Sequence, residues 1–139
     1  MLAKAIVTAL LALTVPAAVL SQEALAQAAR ATAATPAPAD RARQWLTLVD
    51  DKNYQQSWAE SGAAFKARQK AEDWAKSAAA LRTPLGAMSS RDLKSIDASR
   101  NNIAVIRFDT VFAHKAASVE TLTLTFQNGS WAVTEYAVE

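Results

Sequence analysis

The sequence contains no cysteine among its 139 residues. This absence excludes disulfide bonds, thiolate metal sites, a cysteine nucleophile and a lipid-modified cysteine. The chain also has a single histidine, His114, so it offers no cluster of imidazole ligands for a metal. We therefore expect neither a metal nor another cofactor, and we expect the fold to depend on its hydrophobic core without cross-links.

Glycine is nearly as scarce, with three residues in the whole chain. So few glycines leave no glycine-rich loop of the kind that holds phosphate groups, and neither Ser57 nor Ser61 has the Gly-x-Ser-x-Gly context of a hydrolase nucleophile. The formal net charge is only +2, from 15 basic and 13 acidic residues. Because binding to phosphate backbones requires a dense basic surface, we expect no nucleic-acid partner.

The amino-terminal segment has the pattern of an export signal. Lys4 precedes an apolar run over residues 5–20, and Ala24-Leu25-Ala26 has the small-x-small pattern of a cleavage site. The run is shorter than the roughly 20 residues that span a hydrocarbon core. We predict cleavage after Ala26, a periplasmic or secreted protein, and no stable membrane span after cleavage. A retained membrane anchor is the alternative.

The segment after the predicted cleavage site has no apolar face that could pack against a core. Residues 27–39 are almost entirely alanine, threonine and proline with one arginine, and they show no apolar periodicity. Segments of this composition do not form a packed core. We predict a flexible leader over residues 27–39 and a single domain over residues 40–139.

Three helices are predicted in the first half of this domain, because apolar side chains recur there at helical spacing. Asp40 is predicted to cap the first helix, and Pro84 should end the third by Arg82 because it disfavours helical backbone at Thr83. The second stripe is continuous and is predicted to be one helix. The three stripes are Ala42, Trp45, Leu46 and Val49; Tyr54, Trp58, Ser61 and Phe65; and Ala71, Trp74, Ala78 and Leu81.

After Gly86 the apolar period changes from about four to two, which indicates strands. Four strands are predicted, and Asn128-Gly129 is typical of a tight hairpin turn. Helices followed by strands predict an α+β fold, with three helices packed on a curved antiparallel sheet of about four strands. The predicted strands cover residues 88–96, 103–112, 119–126 and 131–138.

Strand register brings two carboxylates toward one rim of the core face. The register that makes one face almost wholly apolar places Glu120 opposite Thr110, with a five-residue loop between the strands. A two-residue turn at Asn128-Gly129 then places Glu135 opposite Leu122 on the same face. We therefore predict that Glu120 and Glu135 lie near each other.

The domain carries an ordered series of aromatic, charged and turn residues, namely Gln44-Trp45-Leu46, Leu48-Val49-Asp50, Tyr54, Ser57-Trp58, Phe65-Lys66, Trp74, Arg82, Pro84-Leu85-Gly86, Ser90-Arg91, Phe108, Thr110, Phe112, Val119-Glu120-Thr121, Gly129, Trp131 and Tyr136. The order of these residues is similar to that of the exported bacterial family of unknown function numbered 4019. The similarity extends over essentially the whole chain from Asp40 onward. It implies an exported domain with the cone-like architecture of nuclear-transport-factor-2-like (NTF2-like) proteins, and it brings no assigned activity.

Candidate ligand-binding residues are the aromatic and charged side chains expected near the mouth of such a cone, and no catalytic residue is assigned. Glu120 is expected to pair with Arg82 or Arg91, because an unpaired buried carboxylate costs several kcal/mol. The aromatic side chains have core packing as their alternative role. The candidates are Tyr54, Trp58, Trp74, Arg82, Arg91, Glu120, Trp131, Glu135 and Tyr136.

Three functions from different classes fit these features. The first is a non-catalytic module that binds a small apolar molecule or an envelope protein. The second is a small isomerase or hydrolase in which Glu120 or Glu135 acts with Tyr54 or Arg82, since neighbouring carboxylates push their pKa values apart. The third is a structural homodimer formed through a polar sheet face. That face carries Thr121, Thr123 and Thr125.

Overall fold

The computed structural model describes residues 35–139, so the predicted signal peptide and residues 27–34 of the predicted leader lie outside the described residues. In the described part, helices precede strands, and the predicted α+β class is confirmed. There are four helices in this part rather than three. The helices are α1 (Pro38–Asp50), α2 (Tyr54–Ala59), α3 (Ala63–Arg68) and α4 (Ala71–Arg82), and the strands are β1 (Met88–Arg100), β2 (Ile103–Phe112), β3 (Lys115–Gln127) and β4 (Ser130–Val138). No helix within residues 35–139 is both long enough and apolar enough to cross a membrane.

Helix α1 presents its predicted stripe to the sheet, and the four stripe residues are at most 1% exposed. The helix begins at Pro38, earlier than predicted, and Asp40 lies in its first turn without capping it. Proline suits this position because its missing N–H would have no acceptor within the first turn of a helix. Pro38 and Ala39, which we assigned to the leader, therefore belong to α1, and Ala39 is buried.

The prediction of one continuous second helix is wrong, because the helix is interrupted between α2 and α3. The Gly62 N–H donates to the Val133 carbonyl of β4 at 2.7 Å. The buried Trp45 Nε1–H donates to the Ser57 carbonyl at 2.8 Å and to Ser61 Oγ at 2.9 Å. These bonds hold the backbone in a turn, so the aromatic stripe is divided between two short helices.

Helix α4 ends at Arg82 as predicted, but its buried face is rotated relative to the prediction. Trp74 and Ala78 are buried, whereas Leu81 is 37% exposed. Arg82 is only 7% exposed and takes the inward position. A charged residue therefore ends the buried side of this helix and must find partners inside the protein.

The four strands form one antiparallel sheet in the order β1-β2-β3-β4. Between β2 and β3 the register differs by two residues from the prediction, with Phe108 opposite Glu120 and Ile106 opposite Leu122. The cause is a shorter turn, since Phe112 already pairs with Lys115. A shift of two residues keeps every side chain on its predicted face, so the apolar face is composed as expected.

A bulge in β4 separates the two carboxylates that were expected on one rim. Pairing of β4 with β3 follows the prediction as far as Val133 opposite Leu124, and then Thr134 adds an extra residue. Beyond it Glu135 lies opposite Thr123 and is exposed, while Tyr136 lies opposite Leu122. Because one inserted residue exchanges the two faces of a strand, Glu135 is on the outer face, and the predicted proximity to Glu120 is wrong.

Candidate functional site

Four charged side chains meet between the ends of the helices and the sheet. Glu120 of β3 has no exposed surface, and Arg91 of β1 donates from Nε to its Oε2 at 2.7 Å. The same guanidinium donates from Nη1 and Nη2 to the two carboxylate oxygens of Asp50, at 2.7 and 3.0 Å. Arg82 donates from Nη2 to Asp50 and places Nη1 3.6 Å from Glu120 Oε1. We call Asp50, Arg82, Arg91 and Glu120 the buried ion network.

Glu120 has donors on both carboxylate oxygens. Thr110 Oγ1–H donates to Oε2 at 2.7 Å beside Arg91, and the Tyr136 hydroxyl donates to Oε1 at 2.8 Å beside Arg82. Charge-assisted bonds of this kind offset the cost of burying the carboxylate. The ion pair predicted for Glu120 is therefore confirmed, and it involves both arginines.

The ends of helices and the register of strands place three network residues and their neighbour Tyr136. Asp50 is the last residue of α1 and Arg82 the last residue of α4. Arg91 lies opposite Thr110 on the core face. Tyr136 reaches Glu120 because the bulge in β4 turns it inward.

Sequence reasoning missed Asp50 and Thr110. Asp50 lies four residues after the buried Leu46 and therefore on the inward stripe of α1. That spacing was the available signal. Thr110 was placed on the core face but was not recognised as a partner for a buried carboxylate.

Burial and charge oppose each other in setting the pKa of Asp50, whereas burial and the charge of Glu120 act together on the pKa of Tyr136. Burial by itself would raise the pKa of Asp50, but hydrogen bonds and positive charge from Arg91 and Arg82 outweigh it and hold the pKa below its ordinary value of 3.8. For Tyr136, burial and the negative charge of Glu120 both raise the pKa well above its ordinary value. Asp50 is thus kept ionised and Tyr136 is kept protonated as a donor.

A pocket of about 450 Å³ opens beside this network. It lies where the loop after α1, the end of α4 and the start of β1 meet. Its charged lining residues are Asp50, Asp51, Lys52 and Arg82, and its larger apolar or aromatic ones are Val49, Tyr54 and Met88. The pocket therefore combines a polar wall, fixed by the buried ion network, with an apolar wall.

Residues 41–136 match the family model described as "Protein of unknown function (DUF4019)". The chain belongs to this family. The matched range contains the whole buried ion network and every residue named above as lining the pocket. A comparison with curated proteins gives no match.

Within this family domain, two predicted site residues belong to an aromatic cluster. Trp74 and Tyr136 lie 5.7 and 5.3 Å from the Trp45 ring, measured between centroids. Trp74 is 6% exposed, and its Nε1–H donates to Ser57 Oγ at 2.9 Å. Trp74 thus packs in the core, while Tyr136 both packs against this cluster and donates to Glu120.

The other predicted site residues lie in separate places. Tyr54 lines the pocket. Trp58 is partly buried and donates from Nε1 to the Gln69 carbonyl at 2.9 Å. Trp131 packs against Phe126, with 5.3 Å between the ring centroids. The structure thus groups Tyr54, Arg82, Arg91, Glu120 and Tyr136 around the network and its pocket, and it does not bring Trp58 or Trp131 there.

Glu135 belongs to a second pocket, of about 500 Å³, at the β4 edge. Its Oε1 lies 3.2 Å from Arg68 Nη1, and both side chains are more than half exposed. Thr121 and Thr123 also line this pocket. Dimerisation through the threonine face stays a prediction.

Within residues 35–139, histidine and carboxylate side chains form no group of three or more that could hold a metal ion. His114 is exposed in the turn between β2 and β3.

Proposed function

We propose that this chain is a non-catalytic domain that binds a small amphipathic molecule in the pocket beside the buried ion network. The observation that carries the proposal is the pocket itself, whose volume of about 450 Å³ is typical of small-molecule sites. Four of its ten lining residues are charged, so the apolar ligand predicted from the sequence becomes an amphipathic one. The apolar wall would hold the body of the ligand, and the polar wall would fix its orientation.

The arrangement of the carboxylates favours binding over acid/base catalysis. A general acid or base has to reach the proton that it transfers, directly or through one water molecule. Glu120 is fully buried, its three hydrogen-bond donors all belong to the protein, and the Arg82 guanidinium adds an ion pair at 3.6 Å. Glu135 lies on the other face of the sheet, so the two glutamates cannot divide acid and base roles in one cleft.

We further propose that the domain is exported and has an NTF2-like cone architecture. The export pattern over residues 1–26 supports the first point. The second is supported by four helices that precede a bulged antiparallel sheet, the first of which packs against all four strands. The proposed ligand would then be a molecule of the periplasm or the cell exterior.

A fragment screen followed by nuclear magnetic resonance tests the binding proposal. The probes are a set of small aromatic and aliphatic fragments, added singly to ¹⁵N-labelled protein. We expect a subset of them to shift the backbone amide signals of Asp51, Lys52, Gly86 and Ala87, which surround the pocket.

Two variants control this screen. Ala87→Trp places an indole in the pocket and should abolish the shifts, whereas Ala67→Trp changes an exposed alanine of α3 and should leave them intact. The proposal is wrong if no fragment perturbs these amides, or if Ala87→Trp binds as well as the unchanged protein.

A further inference from the structure

Strand β4 is one of the two edge strands of the sheet, and the chain itself covers the outer edge of its first half. Three backbone carbonyls in this half point away from β3 and accept hydrogen bonds from the helical part of the chain. The bonds are Arg41 Nε to Trp131 at 3.3 Å, Gly62 N–H to Val133 at 2.7 Å and Arg68 Nη2 to Thr134. This half of β4 is therefore closed to a further strand.

The second half of β4 turns its backbone outward at Tyr136 and Val138. Glu139 exchanges two backbone hydrogen bonds with Val119 of β3, both of 3.0 Å. Bonded and non-bonded pairs alternate along an antiparallel ladder, so Ala137 also bonds to β3, and its two neighbours direct their N–H and C=O groups away from it. Among residues 35–139, no backbone group outside the sheet pairs with Tyr136 or Val138. We call Tyr136, Ala137 and Val138 the open stretch of β4.

The open stretch has the regular geometry and the free space that strand addition requires. Its pairing with β3 has no register shift, and Ala137 is exposed. The pocket of about 500 Å³ at the β4 edge lies beside it and is lined in part by Tyr136 and Ala137. The other edge strand, β1, has three register shifts in its pairing with β2. Because such bulges protect an edge from pairing, β4 is the better template for an incoming strand.

The charges around the open stretch indicate which kind of segment fits. Side chains alternate between the two faces of a strand, so Glu135, Ala137 and Glu139 lie on the outer face. Arg68 already compensates Glu135, whereas the pocket around Glu139 is lined by two aspartates and one lysine as well. Since opposite charges on neighbouring strands stabilise a sheet, basic residues four positions apart, with a small residue between them, fit this face.

The inner face of an added strand would meet aromatic side chains. Phe65, Trp74 and Tyr136 line the pocket at the β4 edge on this side. Apolar residues would therefore alternate with the basic and small ones in a matching segment.

A second copy of this chain fits the open stretch less well. Two β4 strands that pair about a two-fold axis at Ala137 would place Glu135 of each copy opposite Glu139 of the other. Like charges directly opposite each other destabilise a sheet. The charge pattern therefore favours a basic segment of a different protein.

We infer that the open stretch of β4 is a docking site for an extended segment of another protein, which adds to the sheet as an antiparallel fifth strand with basic residues outward and apolar residues inward. Antiparallel addition continues the pattern of the sheet and is slightly more stable than parallel addition. This site is separate from the pocket beside the buried ion network, so the inference goes beyond the proposed function.

Synthetic peptides test the inference on the unchanged protein. The parent probe is Ac-Lys-Val-Thr-Val-Lys-NH₂, which matches the expected pattern. In antiparallel pairing the two valines lie opposite Tyr136 and Val138 and supply the hydrogen bonds. N-methylation of both valines should weaken binding by about tenfold or more, because it removes two backbone donors. N-methylation of the threonine and the second lysine, whose N–H groups point away from β4, should leave binding nearly unchanged.

Hydrogen exchange of backbone amides locates the bound peptide. The amides of Tyr136 and Val138 should exchange more slowly when the parent peptide is bound, because they gain acceptors. The Ala137 amide already bonds to β3 and should change little. Equal binding by the valine-methylated peptide, or no protection of Tyr136 and Val138, would overturn the inference. Protection of these amides in peptide-free protein that grows with protein concentration would overturn it too, since a second copy would then occupy the edge.

Exchanging charges tests the selectivity. Ac-Glu-Val-Thr-Val-Glu-NH₂ should bind about fivefold more weakly than the parent peptide, because attraction is replaced by repulsion on the outer face. Glu139→Gln should reduce this difference, whereas Asp97→Asn, at an exposed outer-face position on β1, should not. If the two peptides bind equally well to the unchanged protein, the site does not select a basic segment, and the inference is wrong.

Discussion

Glu120 occupies the centre of the buried ion network, with no exposed surface and donors on both oxygens. Glu120→Gln keeps the shape of the side chain but leaves Arg82 and Arg91 with an excess of buried positive charge. Removing one partner of a buried ion pair costs about 3–5 kcal/mol, so we expect a loss of that size in the free energy of unfolding. Urea denaturation followed by circular dichroism measures it.

Glu135→Gln is the matched control for this measurement. Its carboxylate makes an exposed ion pair with Arg68 on the outer face, and such pairs contribute about 1 kcal/mol or less. Equal losses from the two substitutions would contradict the structural role of Glu120.

Asp50 should make stability depend on pH at the acid end. Its pKa in the folded protein is below the ordinary 3.8, so its contribution is fully present above that pH and is lost as the pH falls through the folded value. Asp50→Asn should therefore be less stable at neutral pH and should lose less further stability below about pH 4. Urea denaturation at several pH values gives the slope of the free energy of unfolding against pH for each protein. Identical slopes for the unchanged protein and Asp50→Asn would contradict the assigned pKa direction.

At the scale of elements, features that repeat along the chain were predictable from the sequence. The buried stripe of α1, the limits of β2 and the end of α4 follow from apolar periodicity and from Pro84. The break at Gly62 and the bulge at Thr134 were not predictable in this way. Both arise from contacts between distant parts of the chain, and a one-residue bulge leaves no mark on local composition.

The break and the bulge also contact each other, which yields a test. A Cβ added at Gly62 would lie 2.9 Å from Thr134 Cγ2 and 3.4 Å from the Val133 carbonyl oxygen. Gly62→Ala should therefore lower the free energy of unfolding by about 1–3 kcal/mol, as overpacking does. The measurement is urea denaturation.

Thr134→Ser supplies the control for Gly62→Ala. Serine lacks Cγ2 but keeps the hydroxyl that donates to the Thr123 carbonyl at 3.2 Å. In this background Gly62→Ala should cost less than half as much. If its cost is the same with threonine and with serine, the contact between these two residues does not restrict position 62.

At the scale of the whole molecule, the candidate site was predictable only in part. Glu120 was expected to find an arginine, because a buried carboxylate needs a partner and only a few cations lie near it in the predicted fold. Asp50 belongs to the site because of where α1 ends relative to β1, and Glu135 lies outside it because of the bulge in β4. Such relations between elements are set by packing rather than by a local pattern.

The proposed export has its own test. We expect amino-terminal sequencing of the protein recovered from the cell envelope or the medium to begin at Gln27, because the pattern of residues 1–26 favours cleavage after Ala26. Soluble intracellular protein that retains Met1 would contradict this prediction.

Binding of a small molecule beside the buried ion network is the central claim, and a native mass spectrum tests it most directly. The protein is purified without denaturation from the compartment of the cells that make it, in parallel with the Ala87→Trp variant. We predict that the unchanged protein carries an additional small mass, which is lost on collisional activation and is missing from Ala87→Trp. A bare chain in both samples, or the same additional mass on both proteins, would contradict the account.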